Sequence, residues 1–300
     1  MKQDYPEPTE LLGSGDSYVV LDLLKSEDPQ FSTQIFEKVK EEVQWDVMHH
    51  RGGEVPRLVA VQGEVQFSSS SSERTVPVYR HPSDASPPLL QFTPTVELIR
   101  HQVEKVLGHP VNHALIQLYR TGKDYISEHS DKTIDVVRGS TIVNVSLGAR
   151  RVMTLRTKKD STEEGGRRRS HKFPLAHNSM FVMGLETNRR WLHGINQDNR
   201  LVTMKDQEEF AFGGERISLT FRWIGTFLVG GDSAGEGAEP LLIYGQGATG
   251  KTRAEARPVI SGDTPESNKL LEAFGRENRD SDFVWEDWYG SGSDVLHFRL

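Results

Sequence analysis

The 300-residue chain contains no cysteine. This excludes disulfides, thiolate metal ligands and a cysteine nucleophile, and leaves histidine and carboxylates to bind any metal. No run approaches the ~18 apolar residues a membrane span needs. The amino terminus, Met1-Lys2-Gln3-Asp4-Tyr5-Pro6-Glu7-Pro8, also lacks the apolar stretch of an export signal. The expectation is a soluble intracellular protein with no membrane partner. Positive charge is in deficit: 36 Lys and Arg stand against 43 Asp and Glu, a net charge of −7. That balance argues against a general polyanion binder, although a local basic patch would suffice for one. The 35% hydrophobic content is enough for one sizeable core.

Against these absences one stretch stands out, Ile116 to Asp131. It reads as a strand, a turn at Gly122, and a second extended run carrying His129 and Asp131 two residues apart, which places both on one face. One further histidine would complete the 2-His-1-carboxylate face that binds Fe(II) and leaves positions open, and His193 in Trp191-Leu192-His193-Gly194 is the candidate. Downstream, Arg216-Ile217-Ser218-Leu219-Thr220-Phe221-Arg222 alternates, with the two arginines on the polar face. A buried arginine requires an anion.

The order His-x-Asp, distant His, Arg-x5-Arg resembles the iron and 2-oxoglutarate dioxygenases, and within them the AlkB family. The resemblance runs from about Trp45 to Trp223 through successive blocks: Gln44-Trp45-Asp46, Pro56-Arg57, Gly63, Pro77-Val78-Tyr79-Arg80, and Asn112 to Tyr119. It implies a β-rich α+β fold, a double-stranded β-helix (jelly-roll) core braced by helices. It also implies Fe(II) on His129, Asp131 and His193, and 2-oxoglutarate on Arg216 with Tyr119, Gln117, Ser218 and Arg222. Dioxygen would be the second cosubstrate, and ascorbate would support activity. Arg216 and Arg222 lie about 20 Å apart on an ideal strand and are expected at opposite ends of the cosubstrate region. Phe67, Tyr79, Thr133 and Trp191 are the substrate-binding candidates.

The chain divides into an N-terminal arm (1–30), a dioxygenase domain (31–228) and a C-terminal extension (229–300). Residues 1 to 17 are expected to be loosely held. Phe31 to Val43 carries apolar residues at helical spacing. Pro94 in a first turn after Thr93, with Gly108 as a stop, marks a second helix. Ser140 to Leu147 and Val152 to Arg156 read as two adjacent strands, and the five-serine run Ser68–Ser72 as a loop. Lys158, Lys159, Arg167, Arg168, Arg169 and Lys172 fall on a hairpin loop around Gly165-Gly166, either a solvated tip or an arm that contacts phosphates. Gly245 to Thr252 matches G-x4-G-K-T, but Pro258 follows closely and no strand-helix repeats build a parallel sheet around it. No bound nucleotide is therefore expected there. Trp285, Trp288 and Tyr289 are too apolar for a free tail and are expected to dock on the catalytic domain.

The substrate is a small molecule or an alkylated nucleic acid. Net negative charge, Gln117 in a position where the family carries Asn, and the non-acidic Lys132-Thr133 after the metal aspartate lean toward an amino-acid-like metabolite. Oxidative demethylation of N-alkylated bases in DNA or RNA is the alternative. A catalytically dead scaffold conflicts with the complete ligand set and both arginines.

Overall fold

The computed structural model describes residues 10–50, 53–68, 73–160, 167–230 and 240–298. Two β-sheets enclose a cavity. The larger sheet runs, in spatial order, through Tyr18–Val20, Ser179–Met183, Ile142–Gly148, Arg216–Arg222, His113–Tyr119, Leu58–Gly63 and Leu89–Gln91, with only the last pair parallel. The smaller, antiparallel sheet runs Ser170–Leu175, Arg151–Thr157, Trp191–Ile195, Ile126–His129. This is the double-stranded β-helix that the motif order implies.

Period-2 alternation decides what each face does. Ile217, Leu219 and Phe221 of one strand, Ala114, Ile116 and Leu118 of its neighbour, and Val143, Val145 and Leu147 of the other neighbour form a single core. Two helices, Phe31–Glu42 and Pro94–Leu107, cover that face through Ile35, Phe36 and Val39 and through Val96, Ile99 and Val103. The second helix begins with Pro94 after an extended Thr93 and ends where Gly108 turns left-handed at φ 71°. The intervening polar residues are therefore left facing the cavity.

Two expectations change. The arm is not separate from the domain: within residues 1–30, Tyr18–Val20 is an edge strand of the large sheet, burying Val19 and Val20. The Asp16 carboxylate accepts from the amides of Glu186 and Thr187 at 2.9 and 3.2 Å, at the start of the helix Leu185–Arg190. The adjacent strands Ile142–Gly148 and Arg151–Thr157 are not partners but lie in opposite sheets. Gly148 makes the corner at φ +97°, where a Cβ would stand 2.4 Å from the Glu215 carbonyl oxygen.

The C-terminal extension docks by two routes. Leu242–Gly245 and Arg257–Pro258 pair onto Thr226–Gly230 and so extend a five-stranded sheet begun by Arg74–Pro77 and Gln66–Phe67. Thr264 then caps the helix Pro265–Arg279 by accepting from the Ser267 amide at 3.1 Å. Its apolar face packs Leu270, Ala273 and Phe274 with Ile134, Phe283 and Tyr289. Only a three-residue 3₁₀ turn, Arg253–Glu255, follows Lys251, whose ammonium donates to the carbonyls of Gln246 and Ala248 at 3.1 and 2.6 Å. Residues 69–72 of the serine run and 161–166 of the basic loop lie outside the described residues. No helix among the described residues is long and apolar enough to cross a membrane.

Candidate active site

The smaller sheet brings two histidines together by register. His193 on Trp191–Ile195 pairs directly with His129 on Ile126–His129, so their rings lie 4.3 Å apart between centroids. Asp131 follows immediately, and its Oδ1 is 3.5 Å from His129 Nε2 and 3.7 Å from His193 Nε2. One ligand atom from each residue falls within 4.8 Å of the others, the only such group of three among the described residues. His129 Nδ1 lies 2.8 Å from the Ser127 carbonyl, which fixes the proton there and leaves Nε2 as the lone pair. The Asp131 amide and carbonyl are both bonded by the Asn188 side chain, at 2.8 and 2.9 Å.

Electrostatics keeps Asp131 ionised and His193 neutral. Burial alone would raise the Asp131 carboxyl, but the Arg222 guanidinium, with the two histidines, holds it well below the usual carboxylate range. Burial, reinforced by His129, pushes His193 down to about 3, so its imidazole is neutral. Arg222 donates through Nε and Nη2 to Asp131 Oδ2 at 3.0 and 2.5 Å. One carboxylate oxygen is thus engaged by arginine and the other faces the histidines. Two imidazoles and one such oxygen suit a borderline metal such as Fe(II) with open coordination positions.

At the other end of the strand Arg216 is fully buried. Its Nη2 donates to Asn144 Oδ1 and Ser146 Oγ at 2.9 and 2.7 Å, while Nε and Nη1 meet no acceptor. Burial lowers its pKa to about 10, which leaves it charged at neutral pH. A buried cation with two unpaired nitrogens fits the distal carboxylate of a dicarboxylic acid. Arg216 lies 5.2 Å from the Tyr119 ring, and Tyr119 donates to Gln117 at 3.2 Å. Tyr119, Gln117, Asn144, Ser218 and Thr220 line the same cavity as His129, Asp131 and His193, about 460 Å³ in volume.

The substrate candidates separate. Tyr79 lines the cavity, with the Arg222 guanidinium 3.9 Å from its ring centroid and its hydroxyl accepting from the Lys132 amide at 3.1 Å. Phe67 is 72% exposed on the five-stranded sheet and does not reach the cavity. Trp191 is buried in the core, its indole donating to Ser14 Oγ at 3.2 Å, and Thr133 turns away to the Glu277 carboxylate. Lys158, read as part of a basic arm, is buried and donates to the carbonyls of Glu277 and Asp280.

Sequence reasoning missed Asn144 and Ser146, although their alternation with Val143, Val145 and Leu147 carried the signal. It also missed His81, which stacks on Tyr79 and on Phe298 at 5.5 Å each, and the wall formed by Leu271, Phe274, Gly275 and Asn278. Neither had a local signal.

The profile of the 2OG-Fe(II) oxygenase superfamily matches residues 18–222. The human DNA oxidative demethylase ALKBH2 is 29% identical over 199 residues, covering 64% of this chain and 68% of that protein. The bovine alpha-ketoglutarate-dependent dioxygenase alkB homolog 3 is 27% identical over 207 residues, covering 66% and 63%. Among solved structures, OsALKBH1 superposes with a TM-score of 0.46 at 14% identity, covering 72% of this chain and all of that one. With the profile spanning more than half the chain, and with the strand order and ligand cluster in place, the chain belongs to the 2OG-Fe(II) oxygenase superfamily as an AlkB-like dioxygenase.

Proposed function

We propose that this dioxygenase removes alkyl groups from the ring nitrogens of nucleobases in DNA or RNA by oxidation. The observation that carries the reading is that relatives named for DNA demethylation align over some two thirds of the chain, whose candidate metal triad lines one cavity and whose Arg216, on the strand that also carries the cavity residues Ser218 and Thr220, is buried with two nitrogens that meet no acceptor. The lean toward a metabolite rested on net charge and on the residues after Asp131, and these weigh less than the named relatives.

When bound, iron, 2-oxoglutarate and dioxygen supply the oxidising power: the keto acid becomes succinate and CO2, one oxygen enters a C–H bond, and the N-hydroxyalkyl product releases an aldehyde. The chain's own residues prepare this. His129, Asp131 and His193 would hold the metal, and Arg222 keeps Asp131 Oδ2 occupied while Oδ1 faces the histidines. Arg216, held by Asn144 and Ser146, would take the distal carboxylate of the keto acid with the nitrogens that meet no acceptor. Leu271, Phe274 and Met48 line the substrate side with apolar surface that keeps water from the reacting group.

The test is succinate and formaldehyde release by the purified protein with Fe(II), ascorbate and 2-oxoglutarate, comparing a methylated oligonucleotide with a panel of amino acids and small amines. Formaldehyde with the oligonucleotide supports the proposal. Stimulation by a small molecule alone overturns it.

A further inference from the structure

The C-terminal helix Pro265–Arg279 lies beyond the family match and yet forms part of the cavity, through Leu271, Phe274, Gly275 and Asn278. It is bonded to the metal loop. The Ser130 amide donates to Asn278 Oδ1 at 2.9 Å, and Ser130 Oγ donates to the Glu277 carbonyl at 2.9 Å. Ser130 stands between two proposed metal ligands, so the helix and the metal site are one unit.

The charges around that cavity are one-sided. Among the described residues, Asp131 is the only carboxylate lining it, and Arg222 already pairs with it. The nearby Glu277 carboxylate is not in the lining: it accepts from the Thr133 amide at 3.0 Å, from the Thr133 hydroxyl and from Tyr289. Donors do line it. Arg57 has one nitrogen on the Tyr125 carbonyl at 2.9 Å and its Nε unpartnered, and Lys132 bonds the Ser130 carbonyl at 2.7 Å. Because a backbone N–H must meet an acceptor, Ser130 fixes Asn278 with its oxygen inward to the loop and leaves Nδ2 as the polar atom for a ligand.

A desolvated cation is costly without a carboxylate partner, whereas a carbonyl is satisfied by donors. Adenine alkylated at N1 and cytosine alkylated at N3 are cations; uracil, thymine and guanine alkylated on a ring nitrogen beside a carbonyl are neutral. Resting on the dealkylase reading above, we infer that the substrate is a neutral N-alkyl lactam base, with Asn278 of the C-terminal helix as the specificity-determining residue that donates to its carbonyl. The extension is then part of the recognition site.

The experiment compares kcat/KM for formaldehyde release from single-stranded oligonucleotides carrying 3-methylthymine or 3-methylcytosine. The wild type is expected to favour 3-methylthymine at least tenfold. Asn278→Asp keeps the acceptor for Ser130 but puts a carboxylate in the cavity, and should move the ratio at least tenfold toward 3-methylcytosine. Arg57→Gln provides a second variant, moving the ratio the same way chiefly through KM; unfolding curves identify any variant that fails to fold. A wild-type preference for the cationic base, or a ratio unmoved in both folded variants, overturns the inference and leaves the dealkylase reading intact. Release from neither oligonucleotide overturns both.

Discussion

Arg222 and Arg216 sit on one strand face, and their surroundings assign them different work. Arg222 is bonded to Asp131 and lies over Tyr79, whereas Arg216 retains two free nitrogens. The sequence placed both on the polar face and at opposite ends. It assigned the cosubstrate to Arg216 with Arg222 beside it, and did not foresee the pairing of Arg222, because that partner is a carboxylate far away in the chain. Replacing Arg222 by Met leaves Asp131 buried without its cation and free to turn, so Fe(II) affinity should fall on the order of 10–100-fold, as read by anaerobic titration. The buried histidines give a pH prediction. Desolvation lowers both His81 and His193 to about 3, below the value near 6.5 expected in the unfolded chain. The unfolded state therefore binds more protons as pH drops below about 6.5. Metal-free protein should lose stability from there down toward pH 3, at up to about 1.4 kcal/mol per pH unit for each histidine. Denaturant unfolding at a series of pH values checks this; a flat profile from pH 7 to 4 would contradict it.

Strands and helices were the most legible level, because alternation along Arg216–Arg222 and 3 to 4 residue spacing in Phe31–Glu42 each follow from one face being buried. Connections were less legible. Ser140 to Leu147 and Val152 to Arg156 read as two adjacent strands, and only Gly148, at φ +97° with its hydrogen facing the Glu215 carbonyl, sends the second into the opposite sheet. Gly148→Ala combines a left-handed alanine with a carbonyl clash and should destabilise by roughly 2–4 kcal/mol, measured by denaturant midpoint. The edge strand Tyr18–Val20 was likewise visible as an apolar run, but which sheet edge it covers depends on Ser179–Met183, a long way along the chain.

At the scale of the whole molecule, the extension and the catalytic core are joined at Arg80. Its guanidinium is fully buried, pairs with Asp135, and donates to the carbonyls of Ser293, Val295 and Gly247 at 2.6, 3.1 and 2.8 Å. A single arginine in Pro77-Val78-Tyr79-Arg80 carried no hint of this, since its partners lie at the far end of the sequence. Arg80→Met should cost about 3–5 kcal/mol by leaving Asp135 unpaired, lowering Tm on the order of 10 °C. The candidate metal ligands were legible for the opposite reason: the His-x-Asp pair is local, and only one distant histidine had to be added. The substrate wall was not, because the helix Pro265–Arg279 reaches the cavity through tertiary packing alone. The most direct test of the central claim is the fate of dioxygen: turnover under 18O2 with Fe(II), 2-oxoglutarate and a methylated oligonucleotide. The account predicts succinate carrying one labelled oxygen, formed in step with formaldehyde and abolished by Asp131→Ala; unlabelled succinate, or none, would contradict it.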